Sequence, residues 1–267
     1  MWLYRTSGEA EHNIVIYEYQ PDRKQIRPER FLKDFKGYLH ADGYGGYHNF
    51  SKDIIVVGCL AHLRRKFFDT LKTLPKERQK DSNAKKAVDY CDALFLLERQ
   101  FASYDAETRY MERQRQSKPL FDEFYVWMCE TGALPKSLLG VAMQYAATQK
   151  KYIERYLMDG NLEISNNRAE RSIKPFVIGR KNWMHCNTPN GARASAVYYS
   201  IIISAIENRL NPYEYLAWVF KNAPNLGKNG YPSDIEELLP FGPGLPDSLF
   251  VPARDNQKQS KQAWKED

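Results

Sequence analysis

The sequence predicts a mixed α/β protein whose strand-bearing core is interrupted by a large all-helical block. Three observations carry that prediction. Short runs rich in β-branched and aromatic residues, WLYRT, NIVIYEY, YLHAD and DIIVVGC, all fall between Met1 and Cys59. From about Ser82 to Tyr156 apolar residues recur at helical spacing with no strand pattern. After Gly160 come further amphipathic stretches, punctuated by Asn-Pro and Ala-Pro. At 267 residues the chain can bury a sizeable core, as one elaborated domain or two smaller ones.

Taken in order, Met1 to Thr6 and Asn13 to Tyr19 read as two antiparallel strands joined by the polar turn SGEAEH. Pro28 opens PERFLKDF, a short helix with Phe31, Leu32 and Phe35 on its apolar side, and Gly37 ends it. YLHAD is a third strand closed by Asp42. DIIVVGC is a fourth and buried strand, leading into AHLRRKFFDTLKTL with Leu63, Phe67, Leu71 and Leu74 at helical spacing. The helical block reads as AVDYCDALFLLERQFASY, then ETRYMERQRQSKPLFDEFYVWMCE with a break or kink at Pro119, then LPKSLLGVAMQYAATQKKYIERYLMDG closed by Gly160. TPNGARASAVYYSIIISAIENRLNP and PYEYLAWVFKNAP are two more helices. The domain reading is a first core part at 1–75, the helical insertion at 76–160 and a second core part at 161–241. A tail at 242–267 has the Pro, Gly, Gln and Lys content of disorder.

Composition narrows the functional classes without choosing among them. Aromatic residues at 13% support a packed core, and a net charge of +6 suits a polyanionic partner without requiring one. Cys59, Cys91, Cys129 and Cys186 are scattered, which excludes a dense disulfide framework and fits reduced thiols in a cytoplasm. The N-terminus lacks a signal-peptide pattern, and IIVVGCLA and VYYSIIISAI are too short to span a bilayer. A soluble cytoplasmic protein is expected.

The chemistry concentrates in GNLEISNNRAERSIKPFVIGRKNWMHC, from Gly160 to Cys186. Glu170 stands there between Asn166-Asn167 and the cations Arg171, Lys174, Arg180 and Lys181, with Trp183 following. An acid so placed can neutralise its neighbours, through an Asn167/Glu170 capping box and a Glu170–Lys174 ion pair. It can equally hold a divalent metal against a phosphodiester whose phosphates the cations grip. Trp183 is open to a core role or to stacking on an unpaired base. Asp42 at the end of a strand, followed by GYGGY, is either a ligand-facing carboxylate or an ordinary Asp-Gly turn. Cys59 and His62 have a spacing that suits zinc only if two more ligands arrive; otherwise Cys59 is buried and His62 orients a carboxylate or touches substrate. Arg64, Arg65 and Lys66 are a solvated helix face or phosphate contacts.

Read together, NNRAERSIKP followed by GRKNW, with WLYRT, HADGYGGY, CLAHLRRKFF and IEELLP in order along the chain, resemble the insertion sequence 66 family transposases. The resemblance covers nearly the whole chain and implies a bacterial enzyme of the Asp-Asp-Glu type with a ribonuclease-H-like core. In that core the helical block is an insertion, and Asp42 and Glu170 are metal ligands for two magnesium or manganese ions. It further implies DNA cleavage and strand transfer on double-stranded DNA in a homo-oligomeric complex, without membrane involvement. Arg64, Arg65, Lys66, Arg171, Lys174, Arg180, Lys181 and Trp183 become DNA contacts, and Cys59, His62, Asn166 and Asn167 structural or substrate-orienting residues. Family members carry His-x-Asp-Glu-Thr-Pro ahead of the strand that WLYRT resembles. This sequence starts after that point, so the first Asp and the opening strand are absent, and Glu18 and Asp22 do not match the motif. The expectation is a truncated core, inactive on its own; the alternative is a non-catalytic DNA-binding remnant or regulator of transposition.

Overall fold

A computed structural model of the chain describes residues 1–47, 50–182 and 188–252. It is mixed α/β and mostly helical, and the chain divides into two compact units. One comprises residues 22–171; the other combines residues 1–21 with the chain from Ser172 onward. The tail beyond residue 252 and Trp183 and Cys186 lie outside the described residues.

The unit formed by the chain ends holds β1 (Trp2–Arg5) and β2 (Val15–Glu18), paired antiparallel with Trp2 opposite Glu18 and Arg5 opposite Val15. The polar turn between them makes this pairing readable from sequence. In the other unit α1 (Ile26–Phe31) precedes β3 (Gly37–His40), and β4 (Ile54–Val57) comes next. β3 and β4 pair in parallel, His40 opposite Val57, so their carboxyl ends lie side by side. Among the described residues the four strands thus form two two-stranded sheets.

The helical block packs against β4. It consists of α2 (Leu60–Lys72), α3 (Lys76–Gln79), α4 (Asn83–Gln100), α5 (Ala106–Glu112), α6 (Lys118–Glu130) and α7 (Leu138–Ile153). Ser82, Asp105 and Ser137 cap α4, α5 and α7 by accepting backbone N–H bonds. Val57, Leu60, Leu63 and Phe67 meet Ala87, Cys91, Leu94, Phe121, Phe124 and Ala146 in one core. Each fully buried Leu or Phe there contributes about 1.5–3 kcal/mol.

Of the break or kink that the sequence suggests at Pro119, no break occurs. The proline sits in the first turn of α6, directly after a π-helical turn from Arg113 to Ser117. The wider turn accommodates a residue with no N–H to donate, so α5 passes into α6 without interruption. The same turn buries Arg113, whose five N–H donors are all used. Nε and Nη2 bond the Glu98 carboxylate at 2.8 and 2.6 Å, and the remaining donors reach the Tyr156, Asp159 and Leu162 carbonyls at 3.0, 2.8 and 2.8 Å. Gly160 in that loop lies against Ala106, with no room for a β-carbon.

Helix α8 (Asn167–Asn182) contains the division between the units, which falls between Arg171 and Ser172. α9 (Pro189–Glu207) and α10 (Pro212–Asn222) complete the fold of the chain-end unit. The IEELLP motif forms a short 3-10 turn there, and the Leu238 carbonyl accepts the Tyr215 hydroxyl at 2.6 Å. α9 runs along the outer edge of β2. Asn208 bonds both backbone groups of Asn13, Ser204 bonds both of Val15, and Ser200 accepts the Tyr17 N–H at 2.8 Å. Helix side chains spaced by four therefore satisfy strand residues spaced by two. Replacing Ser204 with alanine leaves the buried Val15 N–H and carbonyl without partners. We expect a loss of about 1–3 kcal/mol in urea unfolding, whereas Ser204→Thr should retain most of it. No described helix is long and apolar enough to cross a membrane.

Candidate active site at the strand ends

Parallel strands with adjacent carboxyl ends leave a crevice beyond them where a following loop and a helix start can meet a ligand. Three pieces of chain converge there within the unit of residues 22–171. β3 runs on through Ala41, whose N–H bonds the Val57 carbonyl at 2.9 Å, and delivers Asp42. β4 runs on to Cys59, which precedes the first turn of α2 and His62. The segment before α8 docks on both. The Leu60 N–H bonds the Ile164 carbonyl at 3.0 Å, the Asn166 N–H reaches Cys59 Sγ at 3.4 Å, and His40 Nε2 donates to the Glu163 carbonyl at 2.8 Å.

These bonds set the start of α8, and hence Glu170, against α2. His62 Nε2 stands 3.1 Å from Glu170 Oε1, and Arg65 Nη2 3.8 Å from Oε2. The capping box and the Glu170–Lys174 pair that the sequence allows do not form among the described residues. Asn167 is already the first helical residue, and Glu170 spends its oxygens on α2. His62 thus faces a carboxylate. Its Nδ1 and the Asn166 Oδ1 are buried with no bonding partner. Burial pushes the Cys59 thiol up, with Glu170 adding a smaller push, so the sulfur is a neutral acceptor.

Asp42 is half-buried, and its Oδ1 accepts the Tyr44 N–H at 3.1 Å, an Asx turn. It makes no ion pair among the described residues. Tyr47 and Tyr145 stand near it, both phenols pushed up to about 12, chiefly by burial, with Asp42 adding to each. Tyr145, on α7, was not singled out by sequence, and no motif surrounds it.

The other predicted residues divide. Arg64 is bonded to Asp92 at 2.6 and 3.1 Å, away from the Arg65–Glu170 contact, and Lys66 lies over the Tyr145 ring at 5.4 Å. Arg171, Lys174, Arg180 and Lys181 are exposed on α8, and none pairs with a carboxylate among the described residues. No group of three His, Cys, Asp or Glu side chains able to hold a metal ion occurs among the described residues, so Cys59 and His62 gain no further zinc ligands there. For a hard divalent cation the donors fit in kind. Asp42 and Glu170 offer carboxylate oxygens, and no cation among the described residues neutralises Asp42.

Residues 1–194 match the model of the Transposase IS66 family. The chain belongs to that family. Two relatives from Sinorhizobium fredii, described as uncharacterized proteins y4qI and y4hP, are each 30% identical to this IS66-family chain, over 256 and 261 residues. Each alignment covers 90% of this chain and 46% of the relative, so the IS66-family chain spans about half the length of the curated relatives it matches. No solved structure matches it.

Proposed function

We propose that this chain acts in DNA transposition as part of a transposase, at the step of metal-dependent DNA cleavage and strand transfer. What supports the reading, beyond the family, is the convergence of Asp42 and Glu170 on the carboxyl ends of β3 and β4 through the His40, Leu60 and Asn166 bonds. On this reading the strand, strand, helix, strand order belongs to a ribonuclease-H-like core, and the helices from 76 to 160 are an insertion into it. Magnesium or manganese held by Asp42 and Glu170 would activate a water or 3′ hydroxyl and stabilise the leaving 3′ oxygen.

The chain's own residues do the rest. His62 Nε2–H holds the Glu170 carboxylate in one orientation, and Arg65 faces its other oxygen. Arg65, Arg171, Lys174, Arg180 and Lys181 neutralise phosphates of double-stranded DNA without reading sequence. The working form is a homo-oligomer on the element ends, in the cytoplasm. Metal-dependent joining of a precleaved element end, by a transposase carrying this chain, tests the reading; joining that survives Glu170→Gln overturns it.

A second reading, DNA binding without catalysis, is favoured by the engagement of both Glu170 oxygens with α2 and by the lack of a third carboxylate beside them among the described residues. Both readings require DNA contacts. Alanine at Arg171, Lys174, Arg180 and Lys181 together is expected to weaken binding about equally for all duplex sequences. It should also flatten the slope of log K against log salt by up to about 0.9 for each phosphate that is no longer neutralised. Unchanged binding at both low and high salt would show the four to be a solvated face.

A further inference from the structure

Helix α7 belongs to the helical block and carries no recognisable motif, yet one of its side chains reaches the turn after β3. The Tyr145 hydroxyl fills the place where a β-carbon on residue 43 would stand, 2.5 Å from that position, with a ring carbon at 2.9 Å. Lys66 lies over the same ring at 5.4 Å, and the ring also packs against the core that contains Ala142 and Ala146. The turn is thereby held from both sides: Asp42 accepts the Tyr44 N–H, and the Tyr145 hydroxyl packs against Gly43. Only glycine at 43 leaves room for this contact.

We propose that Tyr145 is a positioning residue for Asp42, its hydroxyl fixing the Asp42-Gly43-Tyr44 turn so that the carboxylate stands clear of the strand end. The helical block then takes part in the site. A tyrosine that served packing alone would need its ring and not its oxygen. This role rests on the proposed function, in which Asp42 is an acid of the site, and the measurements separate the two.

The 267-residue chain is compared as wild type, Tyr145→Phe, Tyr145→Leu and Asp42→Asn. The readouts are manganese binding by paramagnetic resonance, the melting midpoint, and hydrogen exchange at the Gly43 amide. Tyr145→Phe is expected to weaken manganese binding by about 10–100-fold, the range for residues that orient a ligand. It should speed Gly43 exchange at least about tenfold and shift the midpoint by less than about 2 °C. Tyr145→Leu should also lower the midpoint, since it removes the ring. Wild-type manganese binding and Gly43 exchange in Tyr145→Phe, with binding lost in Asp42→Asn, would overturn the positioning role and leave the reading of Asp42 standing. If manganese binding is insensitive to Asp42→Asn, or absent from the wild type, the reading of Asp42 fails. The hydroxyl's hold on the turn is then decided by Gly43 alone: unchanged exchange in Tyr145→Phe overturns it.

Discussion

Arg113→Met is expected to destabilise the unit of residues 22–171 by about 3–5 kcal/mol, read as a lowered midpoint in urea unfolding. The arginine side chain is 1% exposed and its partner Glu98 13%, so methionine would leave a carboxylate in the interior without its counter-charge. The Tyr156, Asp159 and Leu162 carbonyls would lose their donors in the same step. Lysine should recover only part of the loss, having three donors on one nitrogen against five spread over a plane. Arg113→Met with Glu98→Leu should be less damaging than Arg113→Met alone, because the stranded charge is gone. A loss below about 1 kcal/mol for the single variant would mean that water replaces the guanidinium and that the loop before α8 does not depend on it.

Glu170→Gln is expected to abolish joining of a precleaved DNA end while leaving DNA affinity and the melting midpoint nearly as they were. The amide keeps the shape but cannot balance a divalent cation, and it faces His62 and Arg65 with half the charge-assisted bonding. His62→Ala removes only the group that orients the carboxylate, for which about 10–100-fold is the usual cost. The ordering Glu170→Gln far worse than His62→Ala, with binding intact in both, is the signature of a ligand and its support. Equal small effects on joining would favour the DNA-binding reading, and loss of binding in either would mean that the pair holds the fold together.

Legibility in the sequence tracks the range of each signal. The β1–β2 pairing, helices α2, α4, α7, α9 and α10, and the all-helical block that follows the strands depend on local periodicity and turn chemistry, and the structure has them. The parallel register of β3 with β4 depends on how distant stretches of chain meet in space, so no local pattern announced it. Arg113 sits in the run RQRQ, which carries no apolar pattern to mark a buried side, and the π turn carries it inward. Tyr145 is at an ordinary core spacing in α7, and its contact with Gly43 comes from the far end of the side chain. Asp42, His62 and Glu170 stood out because acids and an imidazole fell next to glycine turns, a strand end and a helix start. Why Glu170 faces α2 and not Lys174 was beyond reach, since it is fixed by the bonds of Leu60 and Asn166.

The seam between α9 and β2 behaves like a vernier with two slightly different scales. Four helical residues advance about 6.0 Å and two strand residues about 6.6–6.8 Å, so each rung slips by roughly 0.6–0.8 Å against the last. Over the three rungs at Asn13, Val15 and Tyr17 the flexible Asn208 side chain can absorb the accumulated error, since its reach exceeds that of a serine. A fourth or fifth rung would fall out of reach. The helix can therefore shield only a short strand, and a longer β2 would need a true neighbouring strand in place of α9. A single residue inserted in α9 between Ser200 and Ser204 would turn the two halves of the scale by about 100° relative to each other, and only one half could remain engaged.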